Sequence, residues 1–262
     1  MSRLPLSFAC KDFRLAATLD TAPGTAGLLI VTGGNELRAG AFSGQAKLAA
    51  RIAKAGFPVF RFDRRGVGDS EGENRGFRHS AKDIAAAIEA FRAIAPQIER
   101  VVAFGNCDAA SALMLARGAG VDGLVLSNPW TIEQDEGAPP DETPPPAAVR
   151  ARYLEKLKNP REIVRLLGGG VNLRKLALGI IHALKPPPPP SSLAQEMAAG
   201  LAGFTGPVAI LLATADRTAQ VFAAAWDPGD PRICRCEGAG HAYVEPEHRA
   251  WLEARILESL RA

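Results

Sequence analysis

Gly105-Asn106-Cys107-Asp108-Ala109 follows the apolar run Val101-Val102-Ala103-Phe104 and precedes the small-residue run Ala109-Ala110-Ser111-Ala112-Leu113-Met114-Leu115-Ala116. An apolar run, a short polar break carrying a thiol and a run of helix formers read in order as strand, sharp turn and helix. A side chain presented at such a turn sits on strained backbone. Its neighbours two positions away must be small, so that strand and helix can approach each other. Gly105 meets that demand, and Ala109 is the next smallest choice.

The pattern resembles the G-x-S-x-G nucleophile elbow of α/β-hydrolases, with cysteine in the place of serine and alanine in the place of the second glycine. The surrounding chain has matching organisation. Gly27–Thr32 reads as a buried strand ending at the turn Gly33-Gly34-Asn35, and Ala46–Ala55 as a helix stopped by Gly56. Pro58–Asp63 is the next strand. Ala81–Ile94 is an amphipathic helix with Ile84, Ile88 and Phe91 on one side. Gly123–Ser127, Pro207–Ala213 and Arg232–Cys236 read as further strands, and Glu247–Leu260 as a closing helix. Strands alternating with helices predict an α/β fold, a mostly parallel central sheet with helices on both faces.

Residues 131–205 break that rhythm. Prolines cluster at 139–140, 144–146 and 186–190, and helical patterns cover 147–167 and 173–184. The expected division is a core of residues 1–130 and 206–262 with a helical, Pro-rich lid or cap insertion at 131–205. Long insertions in compact domains tend to be functional; a surface excursion with no gating role is the alternative.

Composition narrows the class. With 262 residues, 47% of them apolar and 23% charged, the chain suits one large soluble domain. The net charge of +3 is spread among acids without a basic block, so nucleic acid is not an expected partner. No stretch is long and apolar enough for membrane insertion, and Met1–Phe8 lacks the apolar centre of a signal peptide. The four cysteines, Cys10, Cys107, Cys234 and Cys236, form neither CxxC pairs nor zinc-finger spacings. Cytoplasmic location is the expectation. A homodimer is as compatible with the sequence as a monomer.

Three residues just beyond strand ends carry the chemistry: Cys107, Asp216 and His241. Parallel strands deliver their C-terminal ends to one edge, where distant residues converge. Nucleophile, acid and histidine in that order match the hydrolase arrangement. His241 would take the thiol proton, or hold the thiolate as an ion pair, and later donate to the leaving group, and Asp216 would fix its tautomer. The oxyanion hole is expected from backbone N–H groups of Asn35 and Asp108, with Gly34 close by. The helix after Cys107 favours thiolate. The carboxylate of Asp108 would oppose it if it faced the sulfur. His79, His182 and His248 are expected on the surface or in the insertion. Asp63-Arg64-Arg65-Gly66-Val67-Gly68-Asp69-Ser70 looks like the D-x-R-G-x-G-x-S loop of many hydrolases, a structural loop in which Ser70 lacks the setting of a nucleophile.

Across nearly its full length the chain resembles the exosortase A system-associated hydrolases, type 1. The resemblance is carried by Gly33-Gly34 with Arg38 and Gly40, by Arg61-Phe62-Asp63 through Gly72, and by Cys107-Asp108-Ala109-Ala110-Ser111-Ala112. It continues in Leu124 through Trp130, Tyr153-Leu154 with Lys156-Leu157, and Asp216-Arg217-Thr218-Ala219 with Phe222. It implies an α/β-hydrolase fold, a cysteine nucleophile and a bacterial setting beside exopolysaccharide and protein-sorting genes. Arg38 and Trp130, which lie in these motifs, are the expected substrate-binding residues. Asn35-Glu36-Leu37 departs from the family's usual proline and aromatic residue.

The expected function is hydrolysis of a small-molecule ester or thioester through an acyl-enzyme on Cys107. An acyltransferase using the same thioester, or a non-catalytic lipid- or partner-binding module on the same fold, are the rival readings. No cofactor or metal is expected: a dinucleotide G-x-G-x-x-G, a P-loop and a His/carboxylate cluster are all missing from the sequence.

Overall fold

The apolar runs form one eight-stranded sheet in a computed structural model that describes residues 2–133 and 191–262. The strands are β1 (Arg3–Cys10), β2 (Phe13–Asp20), β3 (Ala26–Val31), β4 (Val59–Phe62), β5 (Arg100–Asn106), β6 (Gly123–Ser127), β7 (Val208–Ala213) and β8 (Ile233–Cys236). Their spatial order is β1-β2-β4-β3-β5-β6-β7-β8. The pairs β1–β2 and β2–β4 are antiparallel, and every other neighbouring pair is parallel.

The hairpin β1–β2 has no counterpart among the strands expected from the sequence, the first of which begins at Gly27. The reason is physical. β1 is an edge strand, mostly exposed, and carries Pro5, so it lacks the continuous apolar signature of a buried strand.

Alternate residues of β3 feed two cores. Leu29 and Val31 face one side with Phe60, Phe91, Leu113 and Phe222, while Leu28 and Ile30 face the other with Leu48, Ile52, Leu252 and Ile256. The first core lies under α2 (Ala81–Ile94), α3 (Asp108–Leu115), α4 (Ser192–Ala202) and α5 (Arg217–Ala225). The second lies under α1 (Gly44–Lys54) and α6 (Pro246–Arg261). Burial on both faces is what a parallel sheet requires. Phe60 stacks on Phe91 with centroids 5.2 Å apart, a contact worth about 0.5–1.5 kcal/mol beyond its buried area.

Helix α4 lies within the stretch 131–205 that the sequence assigns to an insertion, yet it is built into the core. Leu193, Met197 and Leu201 are buried beside α3, and Gly200 lies so close that a Cβ would sit 2.2 Å from the Met114 carbonyl oxygen. Ser191 starts this helix by accepting a hydrogen bond from the Ala194 N–H at 3.1 Å. The core therefore resumes before residue 206. The helices expected at 147–167 and 173–184, with Tyr153, Leu154, Lys156, Leu157 and His182, lie outside the described residues.

Candidate active site

The turn between β5 and α3 holds Cys107 at φ 62° and ψ −130°, a backbone region that L-residues with side chains rarely occupy. Its neighbours fix it there. The Cys107 N–H donates to the Ser127 carbonyl at 2.9 Å, and the Cys107 carbonyl accepts from Ala110 at 3.1 Å and Trp130 at 3.3 Å. Gly105 makes the close approach possible. A Cβ there would stand 2.7 Å from the Ala109 carbonyl carbon and 2.8 Å from the Ala110 nitrogen, both backbone atoms of α3. The small residues read from the sequence thus have the packing role expected of them.

His241 lies on the loop between β8 and α6, and its Nδ1 is 2.9 Å from Asp216 Oδ2. Asp216 ends the segment after β7 and is 8% exposed. The same Oδ2 accepts from the Ala219 N–H at 3.2 Å, so this carboxylate also caps α5. A carboxylate on one side and the Cys107 sulfur on the other favour the imidazolium. The hydrogen bond to Asp216 is the larger influence and that to Cys107 the next, and against the opposing effect of burial they push His241 up to about 10. The structure brings Cys107, His241 and Asp216 into one constellation.

The sign of the resulting pH dependence follows directly. The folded-state value lies above the ~6.5 of a free imidazole. The contribution of these contacts to stability is therefore complete below pH ~6.5 and disappears as pH rises through about 10. In an NMR titration, the His241 midpoint falls in Cys107→Ala and falls further in Asp216→Asn, because Asp216 is the larger influence. Midpoints unchanged in both variants would show that neither group holds the proton.

The loop after β3 is fastened to the elbow. Asp108 Oδ1 accepts from the Gly34 N–H at 2.7 Å, and Oδ2 lies 3.5 Å from Arg64 Nη2, which also donates to the Gly34 carbonyl. The carboxylate of Asp108 is thus engaged with the loop. Gly34 is corrected as an oxyanion donor, because its N–H is already taken. The Asp108 N–H, at the first position of α3, has no hydrogen-bond partner among the described residues, nor has the Asn35 N–H. The Asn35 side chain accepts from Asn74 Nδ2 at 2.7 Å.

Arg38 is a strut rather than a substrate arm. Its guanidinium bonds to Asp63, to Asp69 at 2.9 Å and to Thr18 at 3.2 Å, while its N–H donates to Asp63 Oδ1 at 2.5 Å. Arg61 reaches its carbonyl at 2.5 Å. These bonds give the D-x-R-G-x-G-x-S loop the structural role expected of it: it clamps the loop after β3. Ser70 is buried in that clamp, donating to the Asp63 carbonyl at 2.7 Å. Trp130 is half-buried beside the elbow, its indole N–H donating to the Ile132 carbonyl at 2.8 Å and its backbone N–H to Ser111 Oγ at 2.8 Å. His79 is exposed, and His248 pairs with Glu245 at 3.1 Å.

Two residues of the site have no role among the sequence expectations. Asn106 Nδ2 is 3.3 Å from His241 Nε2, and Asn128 Nδ2 donates to Asn106 Oδ1 at 3.0 Å. The available signal was asparagine at the C-terminal ends of two apolar runs, one of them directly before the thiol.

A family model described as the alpha/beta hydrolase family matches residues 28–255. No curated protein matches the chain. Among solved structures, the chain is similar to an esterase from Pyrococcus furiosus, with 14% identity, TM-score 0.64, and 99% of this chain and 90% of that one covered. It is similar to the alpha/beta hydrolase GrgF from Penicillium sp. sh18, with 15% identity, TM-score 0.65, and 100% and 98% covered. It is also similar to a Xanthomonas campestris protein described as an a/b serine hydrolase without lid, with 15% identity, TM-score 0.58, and 99% and 94% covered.

Proposed function

We infer that this chain, which belongs to the alpha/beta hydrolase family, hydrolyses esters or thioesters of small acyl groups, with Cys107 as nucleophile, His241 as base and Asp216 as its partner. The observation that carries this reading is Cys107 at φ 62° on the strand-to-helix turn, with His241 bonded to a buried Asp216. In the first half-reaction the sulfur attacks the acyl carbonyl, its proton passes to His241 Nε2, and the oxyanion is met by the N–H groups of Asp108 and Asn35. The proton then goes to the departing alkoxide or thiolate, leaving an acyl thioester on Cys107. In the second, water gives a proton to Nε2 and its oxygen attacks the thioester. Collapse returns that proton to sulfur and releases the acid. Trp130 beside the elbow forms a wall for the acyl group.

Residues Cys107 through Ala112 and Leu124 through Trp130 support assignment to the exosortase A system-associated hydrolases, type 1, and a place beside bacterial exopolysaccharide genes. No helix among the described residues is long and apolar enough to cross a membrane, and the reading assigns the reaction to the cytoplasm.

Intact mass spectrometry after exposure to an activated acyl ester tests the mechanism. The expected result is one added acyl group, mapped to Cys107, that decays as acid is released. Turnover through Cys107 with no such adduct, or an adduct on another residue, would overturn the nucleophile assignment.

A further inference from the structure

Between β5, β7 and the His241 loop runs a chain of side-chain amides whose polarity is set from one end. The Ala213 backbone N–H can only donate, and it meets Asn128 Oδ1 at 2.8 Å. Asn128 Nδ2 is therefore the donor on the other side, to Asn106 Oδ1 at 3.0 Å and to the His241 carbonyl at 3.4 Å. That leaves Asn106 Nδ2 as the atom 3.3 Å from His241 Nε2 and 3.4 Å from the His241 carbonyl. The relay is rigid. Asn128 is fully buried, stands at φ 44°, and its N–H donates to the Leu211 carbonyl at 2.8 Å. Ser127 Oγ and the Tyr243 hydroxyl, 3.1 Å apart, brace the same loop.

An amide N–H can bond to Nε2 only while that nitrogen carries a lone pair. Nδ1 at 2.9 Å from Asp216 carries the ring proton. In the neutral imidazole Nδ1 donates to Asp216 and the Nε2 lone pair is shared between Asn106 and Cys107, whereas an imidazolium would set N–H against N–H at Asn106.

We propose that Asn106 is a positioning residue for the acyl-transfer reaction: by donating to His241 Nε2 it favours the neutral Nδ1–H tautomer, so that the imidazole meets thiol or water as a base. The proposal rests on the reading of Cys107 and His241 as reacting groups. The titratable groups acting on the ring are Asp216 from the start of α5 and Cys107 from the elbow. Asp216 and thiolate together favour the protonated ring, which cannot accept a further proton. Asn106 works against them. After acylation the sulfur carries no charge, and the same amide holds the Nε2 lone pair unprotonated until the approaching water displaces it.

The test is an NMR titration of His241 in Cys107→Ala, with and without Asn106→Leu, so that the thiol no longer couples to the ring. Loss of the amide donor raises the proton affinity of His241 about fivefold, the factor one neutral hydrogen bond supplies. In the Cys107-containing enzyme the acid limb of kcat/KM then moves to higher pH in Asn106→Leu. A purely structural role would lower activity or stability and leave both midpoints in place, which would overturn the proposal. Should Asn106→Leu fail to fold, the Asn106 side-chain amide in Cys107→Ala must shift with the His241 midpoint, and an amide that ignores the titration overturns the proposal equally. The underlying reading fails separately: a His241 midpoint identical in wild type and Cys107→Ala would mean that thiol and imidazole do not communicate.

Discussion

Cys107→Ala loses ester turnover by a factor on the order of 10^4–10^6 in kcat, the cost expected from deleting the proposed nucleophile. What survives is the contribution of the oxyanion donors and of binding. The variant remains folded. Alanine follows the Cys107 backbone, the bonds from Cys107 N–H to Ser127 and from Ala110 to the Cys107 carbonyl use main-chain atoms, and the side chain is only partly buried. Cys107→Ser keeps a nucleophilic atom on the same turn and loses less, because the hydroxyl still reaches the carbonyl but gives up its proton less readily than a thiol. Steady-state hydrolysis of a p-nitrophenyl ester, with thermal unfolding as the control, separates the three proteins. Undiminished turnover in Cys107→Ala would remove the nucleophile from the mechanism.

Asp216→Asn lowers kcat by a factor on the order of 10^2–10^4 and gives up the stability that the His241 contact supplies below pH about 10, yet it keeps the cap of α5. The separation arises because Oδ2 does two jobs, accepting from His241 Nδ1 at 2.9 Å and from the Ala219 N–H at 3.2 Å. Asparagine is as good a helix cap as aspartate, so its side-chain oxygen keeps α5 started. It brings no charge to hold the imidazolium formed during proton transfer. When its oxygen caps α5, its NH2 faces His241 and selects the wrong tautomer. Asp216→Ala loses the cap as well and costs about 0.5–2 kcal/mol of stability. If Asp216→Asn kept wild-type activity while Asp216→Ala lost stability, the carboxylate would be a cap alone.

Much of this site was legible in the chain because its parts stand at the ends of apolar runs. Cys107, Asp216 and His241 each follow a strand whose own residues announce it, and parallel strands send such ends to one edge. Side-chain direction was not legible. Asp108 turns its carboxylate to Gly34 and so takes a donor that the glycine-rich loop otherwise offers. Arg38 points at Asp63 and Asp69, a partnership set by the β4 loop and invisible from the surroundings of either residue. The edge strand β1 and helix α4 were hidden for a different reason: an exposed strand has weak periodicity, and a helix that follows a proline run reads as a continuation of the insertion.

The Asn106–His241 bond spans 135 positions of chain. A contact of that reach forms only after the strands between have found their neighbours, since closing a long loop costs entropy before any bond repays it. Asn106 and His241 can meet only when β6, β7 and β8 stand in order beside β5. The juxtaposition of Cys107 and His241 is thus a property of the whole sheet and not of any one segment, and a cut anywhere between the two residues that separated the strands would part them.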